Sequence, residues 1–190
     1  MTNEEFKKAL STLTAPFENP KWRVQLCYPK PTPTHCVVVP YVDARMVQDR
    51  FDKALGASNW ANTYDPETGS SSISILIDGQ WITKSDVGVE SKVDKEKGKA
   101  SDAFKRAAVM WGVGRDIYSL GEKSLEVTPN KVPLTNKGDK LYTPTALSNY
   151  MNKMSESEGL LYQLYNLNPT LHQDDEFMDC LKRMKEYVKK

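Results

Sequence analysis

Apolar positions recur at helical spacing near the start of the chain and alternate at strand spacing soon after. In "TNEEFKKALSTLTAPF" the residues Phe6, Leu10 and Leu13 share one face and Pro16 stops the run, which predicts a short amphipathic helix. "WRVQLCY" and "HCVVVPY" then read as two strands. "PKPTPT" between them is a stiff connection, because its prolines cannot join a central ladder. "YVDARMVQDRFDKALG" predicts a second helix. Asp43 is its N-cap, Gly56 follows its last turn, Val42 and Val47 have staple spacing, and Val47, Phe51, Ala54 and Leu55 form the buried stripe.

"SNWANTYDP" reads as an extended segment ending in a turn. "SISILI", the pair Asp78–Gly79 and "QWITKS" together predict an antiparallel hairpin closed by a two-residue turn. Such a hairpin leaves one face for a core and one for solvent or a ligand. Next comes "KVDKEKGKASDAFKRAAVMWGVGR", Lys92 to Arg115. Its first part is charged at nearly every residue, and Gly98 weakens its helical tendency. From Ser101 onward Ala103, Ala107 and Trp111 fall at successive i+4 steps with Phe104 and Ala108 beside them, and Lys105 and Arg106 come off the edge of that stripe. Gly112 and Gly114 end the helix. Residues 122–143 read as strand fragments and linker. After Pro144, "TALSNYMNKM", "ESEGLLYQLYNL" and "DEFMDCLKRMKEYVKK" predict three helices separated by turns.

Net charge changes the picture only through its distribution. The whole chain of 190 residues carries +1, yet Lys92 to Arg115 holds seven basic side chains against three acidic ones. A local surplus of this kind attracts polyanions whatever the total charge. Candidate phosphate contacts are Lys105 and Arg106, with Lys92, Lys95, Lys97, Lys99 and Arg115 at their flanks and Lys84 as a lesser candidate. Tyr41, Trp60 and Tyr64 are the rings weighed as stacking surfaces for bases. A solvated, ion-paired helix face explains the same charges.

Other chemistry has less support. Asp78 or Asp86, followed by Glu90–Ser91–Lys92, has the look of an acid and an E-x-K triplet near a hairpin, as a metal-dependent nuclease would use, but the signal is short and common and surface acids next to turns explain the same residues. His35 and His172 are the two histidines and belong to no metal-spaced group, and no G-K-S/T phosphate loop is present. Cys27, Cys36 and Cys180 are odd in number and scattered, which argues against a disulfide framework. No leader-like or membrane-length apolar run is seen, so a cytoplasmic protein is expected.

Two stretches taken together carry a likeness. "WITKSDVGVESKVDKEKGKASDAFKRAAVMWGVGRDIYSLG" resembles the signature region of the Rad-fifty-two superfamily of DNA single-strand annealing proteins, and "YVDARMVQDRFDKALGASNW" resembles its upstream helix and strand. The likeness covers roughly residues 22–121 and is closest to the bacterial and phage branch, which includes a DNA-damage-response member of radiation-resistant bacteria. The resemblance implies an α+β fold: a curved antiparallel β-hairpin sheet packed on a long basic helix, here with a small helical C-terminal extension. Residues 1–121 are expected to form the annealing core, 122–143 a linker with strand fragments, and 144–190 the helical region. It implies annealing of complementary strands in recombination and repair, with no cofactor and no nucleotide hydrolysis. Single-stranded DNA is the implied partner, held along a large ring or curved filament of identical subunits. Duplex DNA, a recombinase and a single-strand binding protein are left open as further partners, and a purely structural ring protein remains an alternative.

By the same resemblance Lys105 and Arg106 match the family's basic pair, and Tyr41 matches a tyrosine lining the groove. An upstream family arginine has no clear counterpart, for which Lys30 or Arg23 are the choices. A further basic position one turn past the pair reads as Val109 or Met110, and its charge is either supplied by Arg115 or omitted.

Overall fold

The computed structural model describes residues 1–89 and 95–167. Among them the elements run α1 (Asn3–Thr14), β1 (Lys21–Tyr28), β2 (His35–Tyr41), α2 (Ala44–Leu55), β3 (Trp60–Asp65), β4 (Ser70–Ile77), β5 (Gln80–Val87), α3 (Lys95–Met110), α4 (Asp116–Leu120), β6 (Lys123–Glu126) and α5 (Pro144–Leu167). They group into two compact units that interleave in sequence. The first takes Met1–Phe17 and Val42–Tyr118; the second takes Glu18–Tyr41 and the chain from Ser119 on.

In the first unit, local sequence sets the helix ends. The Thr2 hydroxyl accepts from the Glu5 amide at 3.2 Å, and the Glu5 carboxylate accepts from the Thr2 amide at 2.8 Å, a reciprocal cap on α1. Asp43 caps α2 by accepting from the Met46 amide at 2.9 Å, and Gly56 closes the other end at φ 76°. Strands β3, β4 and β5 form an antiparallel meander. Asp78 and Gly79 take positive φ values of 49° and 78°, the conformation a two-residue hairpin turn requires.

Along β4 burial alternates, with Ser71, Ile73, Ile75 and Ile77 turned inward. Helix α3 packs on that face through buried Ala103, Phe104, Ala107, Ala108 and Trp111. The Trp111 indole N–H reaches the Ile73 carbonyl at 3.1 Å, so the one polar atom of that buried ring is satisfied. Trp60 stacks on Phe51 and on Phe104, with centroids 5.0 and 6.3 Å away, and its N–H is taken by Asp52 at 2.7 Å. Those two contacts use Trp60 in packing.

The second unit is built on the antiparallel sheet β1–β2–β6. A bulge between Val24 and Leu26 inserts one residue into β1. Trp22 and Val24 before the bulge therefore share a face with Cys27 after it. That face, with Cys36, Val38 and Leu125, is covered by Leu147 and Met151 of α5. The Trp22 indole donates to Asn152 at 2.8 Å, and buried Lys123 pairs with Glu158 at 2.7 Å.

Three expectations are corrected. The curved hairpin sheet does not form: two separate three-stranded antiparallel sheets do, neither closed nor strongly curled. The reason lies in pairing, since β2 bonds to β6, almost 90 residues on, and the meander pairs only within itself. The segment after Pro144 is no appendage, because Leu147 and Met151 complete the core of the second unit. The first two helices expected there are one helix of 24 residues, in which Ser148 and Ser157 bond back to the carbonyls four residues earlier in place of ending it. The third lies outside the described residues.

Candidate nucleic-acid interface

The alanine-rich stripe holds α3 against the sheet and thereby fixes where its cations stand. Lys105 and Arg106, neighbours in sequence, are about 100° apart around the helix axis and flank its outward ridge on opposite sides. Arg106 leans toward β5, where its guanidinium meets the Asp86 carboxylate at 3.4 Å. Its Nε is buried with no hydrogen-bond partner among the described residues. Lys105 is half-buried and makes no hydrogen bond or ion pair among the described residues.

The Arg106 side of α3 continues as a cationic seam along β5. Lys84 donates to the Met110 carbonyl at 2.9 Å, and its ammonium lies 4.3 Å from the Trp111 ring centroid. Arg115 folds back, its Nε donating to the Val109 carbonyl at 2.9 Å and a terminal nitrogen reaching Met110 at 3.4 Å. At the other end, Lys99 lies across Gly69, where a β-carbon would overlap the lysine side chain.

Backbone fit closes that end. Gly88 passes so near α3 that a β-carbon on it would overlap the Lys99 carbonyl and come within 2.8 Å of the Ala103 amide nitrogen. The Val89 amide donates to Asp102 at 3.1 Å. In the adjoining turn the Thr68 hydroxyl and then the Glu67 amide hold the Asp65 carboxyl below its ordinary value. The seam thus brings Lys84, Lys99, Arg106 and Arg115 together against Asp86 and Asp102. Its cations are partly spent on carbonyls and one carboxylate, which orders them as donors in place of free, mobile charges.

Other sequence candidates lie elsewhere. Lys97 is in the first turn of α3, while Lys92 and Glu90 fall outside the described residues. Tyr41 ends β2 in the second unit, with the Arg23 guanidinium 5.6 Å from its ring centroid. Antiparallel pairing sets this, since Lys21 is opposite Tyr41 and Arg23 opposite Val39. Of the two upstream cations weighed from sequence, Arg23 is the one over that ring, and Lys30 is exposed in the β1–β2 connection. Sequence reading missed Asp86 as the partner of Arg106; the strand-to-helix register that joins them has no local signature. No group of three or more histidine, cysteine or acidic residues suited to a metal occurs among the described residues. No described helix is long and apolar enough to cross a membrane.

Comparison with known proteins bears on this arrangement. Over 93 residues, 46% of the chain, the sequence is 36% identical to the single-stranded DNA-binding protein DdrA of Deinococcus radiodurans. Over 91 residues it is 32% identical to the protein of the same name from Deinococcus deserti. The chain is a distant relative of these two proteins. The matches span less than half of either relative, 43% and 45% of their lengths. No family model matches the chain, and no solved structure matches it.

Proposed function

We propose that this chain binds single-stranded DNA and anneals complementary strands without nucleotide hydrolysis or a cofactor, in recombination and repair. The observation that carries the reading is the cationic seam on α3 and β5, formed by Lys84, Lys99, Arg106 and Arg115, with Lys105 on the opposite flank of the same helix. Distant homology to two single-stranded DNA-binding proteins supports it. Phosphates would bind along this helix without any reading of sequence, as annealing demands, since the pairing edges of the bases must stay open. Lys92 and Lys97 extend the same positive segment, and Tyr41 with Arg23, and Lys30, are proposed as contacts on the second unit. Identical subunits arranged as a large ring or curved filament would join such segments into one track.

The test is a fluorescence titration of labelled single strands at several salt concentrations. Changing Lys105 and Arg106 together to alanine is expected to weaken binding and to lower the salt slope by about 0.7 for each phosphate that the variant no longer neutralises. Unchanged affinity and slope in a folded variant would remove those two residues from the site. Annealing of two complementary oligonucleotides without nucleotide, run beside light scattering, tests the activity and the assembly. Magnesium-dependent cleavage that disappears in Glu90→Gln would replace this reading with a nuclease.

A further inference from the structure

Resting on that reading, we infer a second contact site for the unpaired strand: a base-stacking platform on the outer face of the β1–β2–β6 sheet, centred on Tyr28 and His35. The bulge in β1 creates this face. Simple alternation from Trp22 would turn Leu26 and Tyr28 inward, beside Val24. The inserted residue reverses the sense, so Lys21, Arg23, Leu26 and Tyr28 share the outer face with His35, Val37, Val39 and Tyr41 of β2. Ser124 and Glu126 of β6 lie on the same side.

The rings on this face are built in. Tyr28 and His35 are directly opposite one another, stacked with centroids 5.8 Å apart and planes 23° from parallel. The Tyr28 hydroxyl shares a 2.7 Å hydrogen bond with Ser124, and the Thr34 hydroxyl sits 2.9 Å from the His35 Nδ1. Both rings are half-buried, and Leu26 beside them is 48% exposed. At the far end of the ladder the Arg23–Tyr41 pair is a second ring with a cation over it. Lys21 and Arg23 stand at the Tyr41 end of this face, and Glu126 is opposite His35 at the other end. Pre-oriented rings, apolar surface and a cationic end are what an exposed base and its phosphate need.

The experiment separates this inference from the reading it rests on. Labelled oligothymidylate is titrated into wild type, Tyr28→Leu, Tyr28→Phe and His35→Leu, with melting curves to establish folding. Tyr28→Leu and His35→Leu are expected to lose about tenfold in affinity each with an unchanged salt slope, and Tyr28→Phe to keep its affinity. In parallel, wild type is photocrosslinked to a strand carrying 5-iodouracil, with crosslinks expected at Tyr28 or His35, a measurement that does not depend on a variant folding. Strong wild-type binding that both leucine variants retain, or crosslinks confined to the first unit, would overturn the platform and leave the DNA-binding reading intact. No wild-type binding at low salt would overturn both. Crosslinks between two copies of the chain at this face, with none to the strand, would make it a subunit contact.

Discussion

Cys36 faces Cys27 across the β1–β2 ladder and is buried under α5. Burial, then the neighbouring Cys27 thiol, pushes the Cys36 thiol up to about 11 from an ordinary value near 9. The unfolded chain therefore ionises first as pH rises, while the folded protein holds its proton. Stability contributed by this thiol is complete below about pH 9 and is lost between there and about pH 11, by about 1.4 kcal/mol for each unit. Urea melts across that range check it, and Cys36→Ala is expected to flatten the dependence. Asp86 offers a second test at this scale. Its pair with Arg106 is partly exposed and is worth at most about 1 kcal/mol to folding. Asp86→Asn is expected to leave the melting temperature within a few degrees while tightening single-strand binding several-fold at low salt, because a phosphate no longer competes with that carboxylate. Weakened binding in this variant would argue that Asp86 positions Arg106 more than it neutralises it.

Among the elements, Gly88 and the Lys123–Glu158 pair carry the clearest consequences. A methyl group at Gly88 meets helix backbone, which cannot swing aside, so Gly88→Ala is expected to cost about 1–3 kcal/mol by chemical denaturation. Breaking the buried pair with Glu158→Ala leaves the Lys123 ammonium uncompensated and is expected to cost about 3 kcal/mol. Replacing both partners with Met and Leu is expected to recover most of it. Local signals made several elements legible in advance: the Asp43 cap, the Asp78–Gly79 turn and the alanine stripe of α3 each act within a few residues. What was illegible acts at long range or against the period. The bulge reverses the inward and outward sense of β1 halfway along, so alternation alone misplaces Tyr28. The partner of β2 is a four-residue strand almost 90 positions away, too short to declare itself. Helix α5 runs through a serine- and glutamate-rich stretch that reads as a break, because packing under Trp22 outweighs weak propensity.

For the molecule as a whole, a formal charge of +1 conceals a segment with a surplus of four. Binding to single strands is accordingly expected to weaken steeply between about 50 and 200 mM salt, a dependence that titrations in that range will read directly. The concentration of charge in α3 was visible in the sequence. The division of its cations between two flanks was not, since it follows from which side of the helix meets β5. The interleaving of the two units has a further consequence for how the protein is made. The strand and helix that shield Trp22 and Val38 are encoded more than 80 codons after β2, so during synthesis β1 and β2 are made well before them. A nascent chain of this protein must carry a half-made apolar sheet past a whole intervening unit, and it is in that interval that a ribosome-associated chaperone would have the most to hold.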